Sequence, residues 1–124
     1  MNIIIKGKQN NIAVVDSEEI LISDSASALD MAMSIQYEAN TSDIVIPKQC
    51  IIEDFFQLST KLAGEILQKY MNYGIRIAIV GDFSEYKSKA LKDFIYESNK
   101  GKYFFFVLTE QDAIEKLEST KNRV

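Results

Sequence analysis

The run Ile75–Val80, whose sequence is IRIAIV, constrains the fold of this chain more than any other feature. It is almost continuously apolar and rich in β-branched residues, which is typical of a strand that helices cover on both faces of a sheet. Gly81 and Asp82 end the run. A second run of this kind, Asp43–Ile46, ends at Pro47, because proline cannot donate a hydrogen bond to a strand ladder. The two runs predict buried strands of an α/β protein.

An amphipathic helix is predicted between these strands. Its apolar side chains recur at intervals of four: Leu58, Leu62, Ile66 and Tyr70. Ser59 or Thr60 is expected to cap the start of the helix, and Gly74 is expected to end it in a left-handed conformation. Gly64 lies inside the helix, where glycine costs roughly 1 kcal/mol relative to alanine. We attribute Gly64 to close packing of the helix on a sheet.

Strands and helices alternate along the rest of the chain. A β-hairpin is predicted at Asn2–Lys6 and Asn11–Val15, a short third strand at Glu19–Ile22 and a strand at Tyr103–Leu108. Further helices are predicted from about Ser25 to Tyr37, from Ser84 or Ser88 to Ser98, and after Thr109. This order predicts one mixed, mainly parallel sheet with about four helices, placed on one face or on both. We expect a single α/β domain over residues 1–118 and a frayed polar tail over residues 119–124.

Composition narrows the classes of function. The 124 residues carry a net charge of −4 without a basic run, which argues against a nucleic-acid partner. No apolar run approaches the roughly 18 residues of a membrane span, and no secretory signal is visible at the N-terminus. The single Cys50 cannot form an internal disulfide, which fits a reducing compartment. We therefore expect a cytoplasmic protein that binds neither nucleic acid nor a membrane.

Histidine is absent from the chain. Its absence excludes nucleophiles activated by histidine and metal sites that need imidazole. Without an imidazole base nearby, Cys50 is expected to be a small buried hydrophobic residue and not a reactive thiol. The sequence accordingly gives no set of catalytic residues, no metal ligands and no cofactor.

The segment Lys48–Gln57 places two carboxylates beside two aromatic rings, as Glu53-Asp54-Phe55-Phe56. In one interpretation the rings plug the end of the core while the acids stay in water. In the other, this loop is an exposed recognition feature, since aromatic and acidic side chains on a loop can anchor a partner. The loop follows the carboxyl end of a predicted strand, where open α/β sheets bind their ligands and partners. The loop at Gly81 has the same position after the next strand.

Three pieces of the sequence resemble a bacterial family known as domain of unknown function 4180. The pieces are Glu53-Asp54-Phe55-Phe56, Leu62-Ala63-Gly64-Glu65-Ile66-Leu67 and Ile79-Val80-Gly81-Asp82-Phe83. The likeness covers most of the chain. Membership of this family implies almost nothing about function.

The order of elements is also similar to the STAS-like fold of anti-sigma factor antagonists. That resemblance implies a regulatory module in which a Ser or Thr at the start of the second helix is phosphorylated by a partner kinase. Ser59 and Thr60 are the matching hydroxyl residues. The sequence departs from the family pattern, because Leu58 stands where that family has Asp and Lys61 stands where it has Gly. A helix N-terminus favours a phosphate, although Ser59 and Thr60 are equally consistent with simple capping.

These observations favour a non-enzymatic binding or regulatory module that engages a protein partner. We expect its surface to include the second helix and the two loops, with contacts from Glu53, Asp54, Phe55, Phe56, Ser59, Thr60, Glu65 and Asp82.

Three other functions stay open. One is a small enzyme in which Glu53, Asp54 and Asp82 converge as general acid, general base or Mg²⁺ ligands. Another is binding of a small anion at the start of the third helix, near Gly81 and Ser84–Ser88, for which the glycine pattern is sparse. The last is a homodimer built on exposed tyrosines, for which the candidates are Tyr37, Tyr73, Tyr86 and Tyr96. These tyrosines are equally suited to the rim of the core.

Overall fold

The computed structural model describes residues 1–121 and contains one five-stranded sheet and four α-helices. The strands are β1 (Asn2–Lys6), β2 (Ile12–Asp16), β3 (Asp43–Pro47), β4 (Arg76–Val80) and β5 (Phe104–Val107). The helices are α1 (Ser25–Ala39), α2 (Leu62–Tyr73), α3 (Lys89–Lys100) and α4 (Glu110–Ser119). The strands lie side by side in chain order, with β1 antiparallel to β2 and every other pair parallel. The predicted mixed, mainly parallel sheet with an N-terminal hairpin is confirmed.

The helices cover the two faces of the sheet unequally. Side chains of α1, α2 and α3 pack together against one face and form the larger core. The opposite face carries a row of side chains, Val45, Ala78 and Phe105, that only α4 covers, through Ala113, Ile114 and Leu117. Burial on both faces explains why β4 is a continuous apolar run in the sequence. No helix among residues 1–121 is long and apolar enough to span a bilayer.

Several helix ends follow the local sequence signals. Asp24 caps α1 in a reciprocal capping box, in which the Ser27 backbone N–H donates to Asp24 Oδ1 over 2.7 Å. Asn40 ends α1 and Gly74 ends α2, both in the left-handed region, with φ values of 54° and 68°. The end of α2 at Gly74 confirms the prediction.

The predicted start of α2 is wrong. Residues Leu58–Thr60 form a separate 3₁₀ turn, and Lys61 then adopts a left-handed φ of 67° before the helix begins at Leu62. The predicted third strand over Glu19–Ile22 is also wrong, because only a single bridge joins Ile22 to Ile51. The third helix begins at Lys89 with Ser88 as its cap, and it extends to Lys100.

A buried ion pair anchors α4 at the end of the sheet where β3 and β4 begin. Arg76 Nη1 lies 3.1 Å from Asp43 Oδ2, and both side chains are buried. Arg76 also donates to the carbonyl of Leu117 and to the hydroxyl of Thr120, and Lys121 Nζ lies 3.0 Å from Asp43 Oδ2. Thr120 and Lys121, which belong to the tail predicted to be frayed, therefore contact Arg76 and Asp43 at the sheet. Residues 122–124 of that predicted tail lie outside the described residues.

Candidate functional site

A winding segment, residues 48–61, crosses the edge of the sheet where β3 and β4 end. It contains three short 3₁₀ turns, at Lys48–Cys50, Glu53–Phe56 and Leu58–Thr60. Cys50 is buried, as predicted, and its thiol donates to the carbonyl of Ser17. The segment ends where α2 begins, so it carries residues from the carboxyl edge of the sheet to the surface of the helical layer.

The two phenylalanines of this segment point into the core. Phe55 and Phe56, which were predicted to contact a partner, are only 1% and 2% exposed, so their rings face the core and not the surface. The Phe55 ring lies 6.0 Å from Phe104 and 6.5 Å from Phe106, and the Phe56 ring stacks on Tyr86 at 5.4 Å between centroids. The rings are buried because the strand ends and the surrounding aromatic side chains leave an apolar edge that needs cover. Phe55 and Phe56 therefore close the end of the core, as in the first interpretation of this segment.

A polar cluster of Lys48, Glu53 and Tyr86 lies directly above this plug. The Tyr86 hydroxyl donates to Glu53 Oε2 over 2.7 Å, and Lys48 Nζ lies 3.6 Å from Glu53 Oε1. Lys48 Nζ also lies 5.0 Å from the ring centroids of both Phe56 and Tyr86, within range of a cation–π contact. The Lys48–Glu53–Tyr86 cluster thereby connects the segment after β3 with the loop after β4.

Electrostatics keep Lys48 protonated and Tyr86 neutral near neutral pH. Burial lowers the pKa of Lys48, but the Tyr86 hydroxyl and the Glu53 carboxylate outweigh it and hold that pKa above its ordinary value. Burial raises the pKa of the Tyr86 phenol, with opposing effects from Lys48 and Glu53. Lys48 therefore stays protonated and Tyr86 stays neutral at neutral pH, so neither group is tuned as a general base.

Gly81 makes room for the lysine of this cluster. A Cβ added to Gly81 would lie 2.7 Å from Cβ of Lys48, closer than side chains normally approach. The loop at Gly81 was predicted to lie at a functional edge of the sheet. No role was predicted for Lys48, and Tyr86 was considered only as a possible exposed residue. Nothing in the local sequence pairs them, because their contact depends on how β3 and β4 align.

The carboxylates proposed for catalysis have separate environments. Glu53 is engaged by Tyr86 and Lys48, whereas Asp82 accepts a hydrogen bond from the Ser84 backbone N–H over 2.9 Å. Hydrogen bonding to the Ser84 hydroxyl and backbone N–H lowers the pKa of Asp82, which disfavours a role as general acid at neutral pH. Asp54 is exposed. Within residues 1–121, no three acidic, cysteine or histidine side chains are grouped to hold a metal ion.

The two hydroxyl residues before α2 have different environments. Thr60 Oγ1 lies 2.8 Å from the carbonyl oxygens of both Asp54 and Gln57 and accepts a longer bond from the Leu62 backbone N–H. Ser59 is exposed, and its hydroxyl makes no hydrogen bond within the part of the chain that the structure describes. Thr60 therefore closes the turn, and the Ser59 hydroxyl stays accessible.

A surface groove runs between α2 and α3, next to this turn. It has a volume of about 490 Å³ and is lined by Leu58, Lys61, Gly64, Glu65, Gln68 and Phe94. Gly64 is exposed, and no neighbouring atom lies within 4 Å of a Cβ added to it. The predicted close packing at Gly64 is therefore wrong. The missing side chain instead leaves the wall of the groove open, which the sequence alone did not indicate.

A larger cavity lies near the opposite edge of the sheet, between the β1–β2 turn and α4. It has a volume of about 670 Å³ and a mixed polar lining that includes Lys8, Asn11, Asp43, Glu118 and Lys121. Two of its carboxylates are already engaged, since Asp43 contacts Arg76 and Lys121, and Glu118 accepts from the backbone N–H of Lys8. The groove beside α2 has an apolar character that this cavity lacks.

The tyrosines proposed for self-association differ in exposure. Tyr37, Tyr73 and Tyr96 are exposed, with Tyr37 the most so at 91%. Tyr86 is partly buried in the Lys48–Glu53–Tyr86 cluster, which corresponds to the second alternative, a position at the rim of the core. At the start of α3, Ser88 Oγ accepts a hydrogen bond from the Leu91 backbone N–H, so this hydroxyl serves as a helix cap.

Comparison with known proteins identifies the family. No curated protein and no solved structure matches the chain. The sequence model of a family described as a domain of unknown function, DUF4180, matches residues 7–117. This match spans every element from the β1–β2 turn to the last turn of α4. The chain therefore belongs to the DUF4180 family.

Proposed function

We propose that this protein is a non-enzymatic binding module that holds a protein partner in the groove between α2 and α3. The observation that carries the proposal is Gly64. This residue weakens its own helix, yet no packing requirement explains it, because a Cβ at this position would meet no atom within 4 Å. Because Gly64 has no side chain, the groove stays open at this position.

The lining of the groove suggests the chemistry of the partner. Leu58 and Phe94 supply apolar surface, and Lys61, Glu65 and Gln68 supply polar groups around it. Binding sites commonly combine an apolar base with a few polar groups that fix orientation. The groove therefore suits a short amphipathic segment that inserts one or two apolar side chains and places polar groups at the rim.

The segment beside the groove suits a binding site because its core contacts hold it in one position. Phe55 and Phe56 anchor the segment 48–61 in the core, and the Lys48–Glu53–Tyr86 cluster ties that segment to the loop after β4. A prepared surface loses less conformational entropy on binding than a mobile one. Within this proposal, the phenylalanines support the site without touching the partner. The direct contacts fall to the exposed residues Glu53, Asp54, Ser59, Thr60, Glu65 and Asp82.

We also infer a regulatory role, which extends the resemblance to STAS-like anti-sigma factor antagonists. Ser59 is the better acceptor of a phosphate, because its hydroxyl is exposed while that of Thr60 closes a turn. A phosphate at Ser59 would add about −1.5 to −2 charges beside the groove. Lys61 lines the groove nearby, and the added charge would alter which partners the rim attracts.

The test compares capture of partners by the wild type with capture by Gly64→Phe, in which the new ring fills the groove. Lys69→Phe is the matched control, because Lys69 is an exposed residue of the same helix and does not line the groove. We expect a partner that binds the wild type and Lys69→Phe but not Gly64→Phe. Capture of the same partners by folded Gly64→Phe contradicts the proposal.

The regulatory inference has its own test. Ser59→Asp is compared with Ser59→Asn in the same capture experiment, so that charge is the main difference between the variants. Selective loss or gain of one partner in Ser59→Asp supports a switch. Identical partners in both variants contradict the regulatory role but leave the groove proposal standing.

A further inference from the structure

Strand β1 forms an open edge of the sheet. Within the described residues 1–121 its one neighbour is β2, with which it pairs through the five residues from Asn2 to Lys6. In an antiparallel pair, alternate residues of an edge strand direct their backbone N–H and C=O groups away from the partner strand. Within residues 1–121, these outward backbone groups of β1 receive no hydrogen bond from a side chain or another segment. They are available to another strand.

The opposite edge of the sheet is partly covered by a side chain. Asn99 of α3 accepts from the backbone N–H of Phe106 over 2.8 Å and donates to the carbonyl of Phe106 over 3.2 Å. This amide satisfies both backbone groups in the middle of β5 and blocks a strand from pairing there. The two edges therefore differ: Asn99 covers the β5 edge at Phe106, whereas among residues 1–121 no side chain bonds to the outer backbone groups of β1.

The side chains of β1 also lack the usual protection of an edge. Ile4 is 47% exposed and Ile5 is 37% exposed. Edge strands are commonly protected by a lysine that projects into water. Here Lys6 is turned to Glu110 of α4, with which it forms an ion pair. Its charge is thereby directed across the sheet face toward α4.

We propose that β1 pairs antiparallel with β1 of a second copy of this chain, so that two five-stranded sheets join into one across a two-fold axis. The sequence Asn2-Ile3-Ile4-Ile5-Lys6 is self-complementary in the register that uses all five residues. Ile4 then faces Ile4 of the second copy, Ile3 faces Ile5, and Asn2 faces Lys6. A two-fold contact of this kind closes and does not propagate into a fibre.

The local charge at β1 does not oppose a second copy at this edge. The chain carries a net charge of −4, so two copies repel each other at most of their surface. β1 contains no acidic residue, and the proposed register places no like charges opposite each other. The apolar cross-strand pairs add to the backbone hydrogen bonds. This inference is independent of the groove between α2 and α3.

The first test measures the oligomeric state of the full chain by sedimentation equilibrium. We expect the wild type to form a dimer. We expect Ile4→Lys, which places two lysines opposite each other at the axis, to weaken dimer affinity by about tenfold or more. Tyr37→Lys is the control, because Tyr37 is 91% exposed and lies on α1. A wild type that stays monomeric up to millimolar concentration overturns the proposal, as does an Ile4→Lys variant that dimerises like the wild type.

A second test does not depend on affinity. Directly opposed residues of antiparallel strands have Cα atoms about 4.5–5.5 Å apart, within the range that a disulfide spans. Ile4→Cys should therefore form a crosslinked dimer on mild oxidation. Wild type controls for Cys50, which is buried, and Tyr37→Cys controls for random collision. Crosslinking of Tyr37→Cys to the same extent as Ile4→Cys would overturn the proposed register.

Discussion

The hydroxyl of Tyr86 donates a hydrogen bond to Glu53 Oε2 over 2.7 Å and thereby joins two loops that follow different strands. Glu53 belongs to the segment after β3, and Tyr86 belongs to the loop after β4. Beneath this bond, the Tyr86 ring stacks on Phe56 at 5.4 Å. The bond and the stack act on different parts of the same side chain, so substitutions can separate them.

Replacing Tyr86 by phenylalanine should remove the bond to Glu53 and keep the stack on Phe56. We expect the free energy of unfolding to fall by about 1 kcal/mol, the usual net contribution of one hydrogen bond. Denaturant unfolding followed by circular dichroism measures this difference. Tyr37→Phe is the control, since Tyr37 is largely exposed and should change stability little. A Tyr86→Phe variant as stable as the wild type would show that the bond is exchanged for water at no net cost.

Replacing Gly64 by alanine should stabilise the protein. A Cβ at this position meets no atom within 4 Å, so only the difference in helix propensity acts. We expect the free energy of unfolding to rise by roughly 0.5–1 kcal/mol, measured by urea unfolding. The contrasting variant is Gly81→Ala, whose new Cβ would lie 2.7 Å from Cβ of Lys48 and should destabilise the protein. A destabilised Gly64→Ala would indicate that the backbone of Gly64 is packed after all.

Much of the sheet could be predicted from sequence because burial on both faces leaves an unmistakable apolar run, as in β4. The start of α2 could not be predicted from the apolar pattern. Leu58 lies four residues before Leu62 and faces the same core, so the apolar period continues across the turn at Lys61. Periodicity reports which side chains face the core, and it does not report that the backbone between them leaves the helix.

The buried ion pair between Asp43 and Arg76 is visible in the sequence once the register of the strands is known. Asp43 opens β3 and Arg76 opens β4, and the register of the two strands places them side by side. Opposite charges at matching positions of two apolar runs could have indicated this contact. The Lys48–Glu53–Tyr86 cluster left no comparable trace, because its loops have no fixed register with each other.

Replacing Arg76 by alanine should destabilise the protein strongly. Asp43 would stay buried with Lys121 as its remaining cationic partner, and the carbonyl of Leu117 would lose its donor. Removing one partner of a buried ion pair typically costs about 3–5 kcal/mol, and we expect a value near the lower end because Lys121 remains. Thermal and urea unfolding measure the loss.

The matched control for Arg76→Ala is the double variant Asp43→Leu/Arg76→Met. Replacing both charges by apolar side chains removes the unpaired carboxylate and should recover much of the lost stability. An Arg76→Ala variant that unfolds like the wild type would show that Lys121 and water compensate Asp43 fully.

Cys50 should react slowly with thiol reagents in the folded protein. Burial, followed by the negative charge of Asp16, raises the pKa of its thiol, so little of the reactive thiolate is present at neutral pH. We expect the rate of modification by a disulfide reagent to increase many-fold when the protein is unfolded in urea. A folded-state rate equal to that of free cysteine would contradict the buried position of Cys50.

The capping carboxylate of Asp24 should make part of the stability dependent on pH. Hydrogen bonds from the backbone and the hydroxyl of Ser27 lower the pKa of Asp24 in the folded protein. The cap therefore stabilises α1 above the unfolded-state pKa of aspartate, and this contribution is lost as the pH falls through the lower, folded-state value.

Asp24→Ala tests this dependence, because alanine cannot cap at any pH. We expect the variant to have a lower denaturation midpoint than the wild type at pH 7, and the difference should shrink when both proteins are measured well below the ordinary pKa of aspartate. Asp30→Ala, an exposed substitution within α1, provides the comparison for a general loss of negative charge. A difference between wild type and Asp24→Ala that is the same at both pH values would mean that the ionised carboxylate contributes no more to the cap than its protonated form.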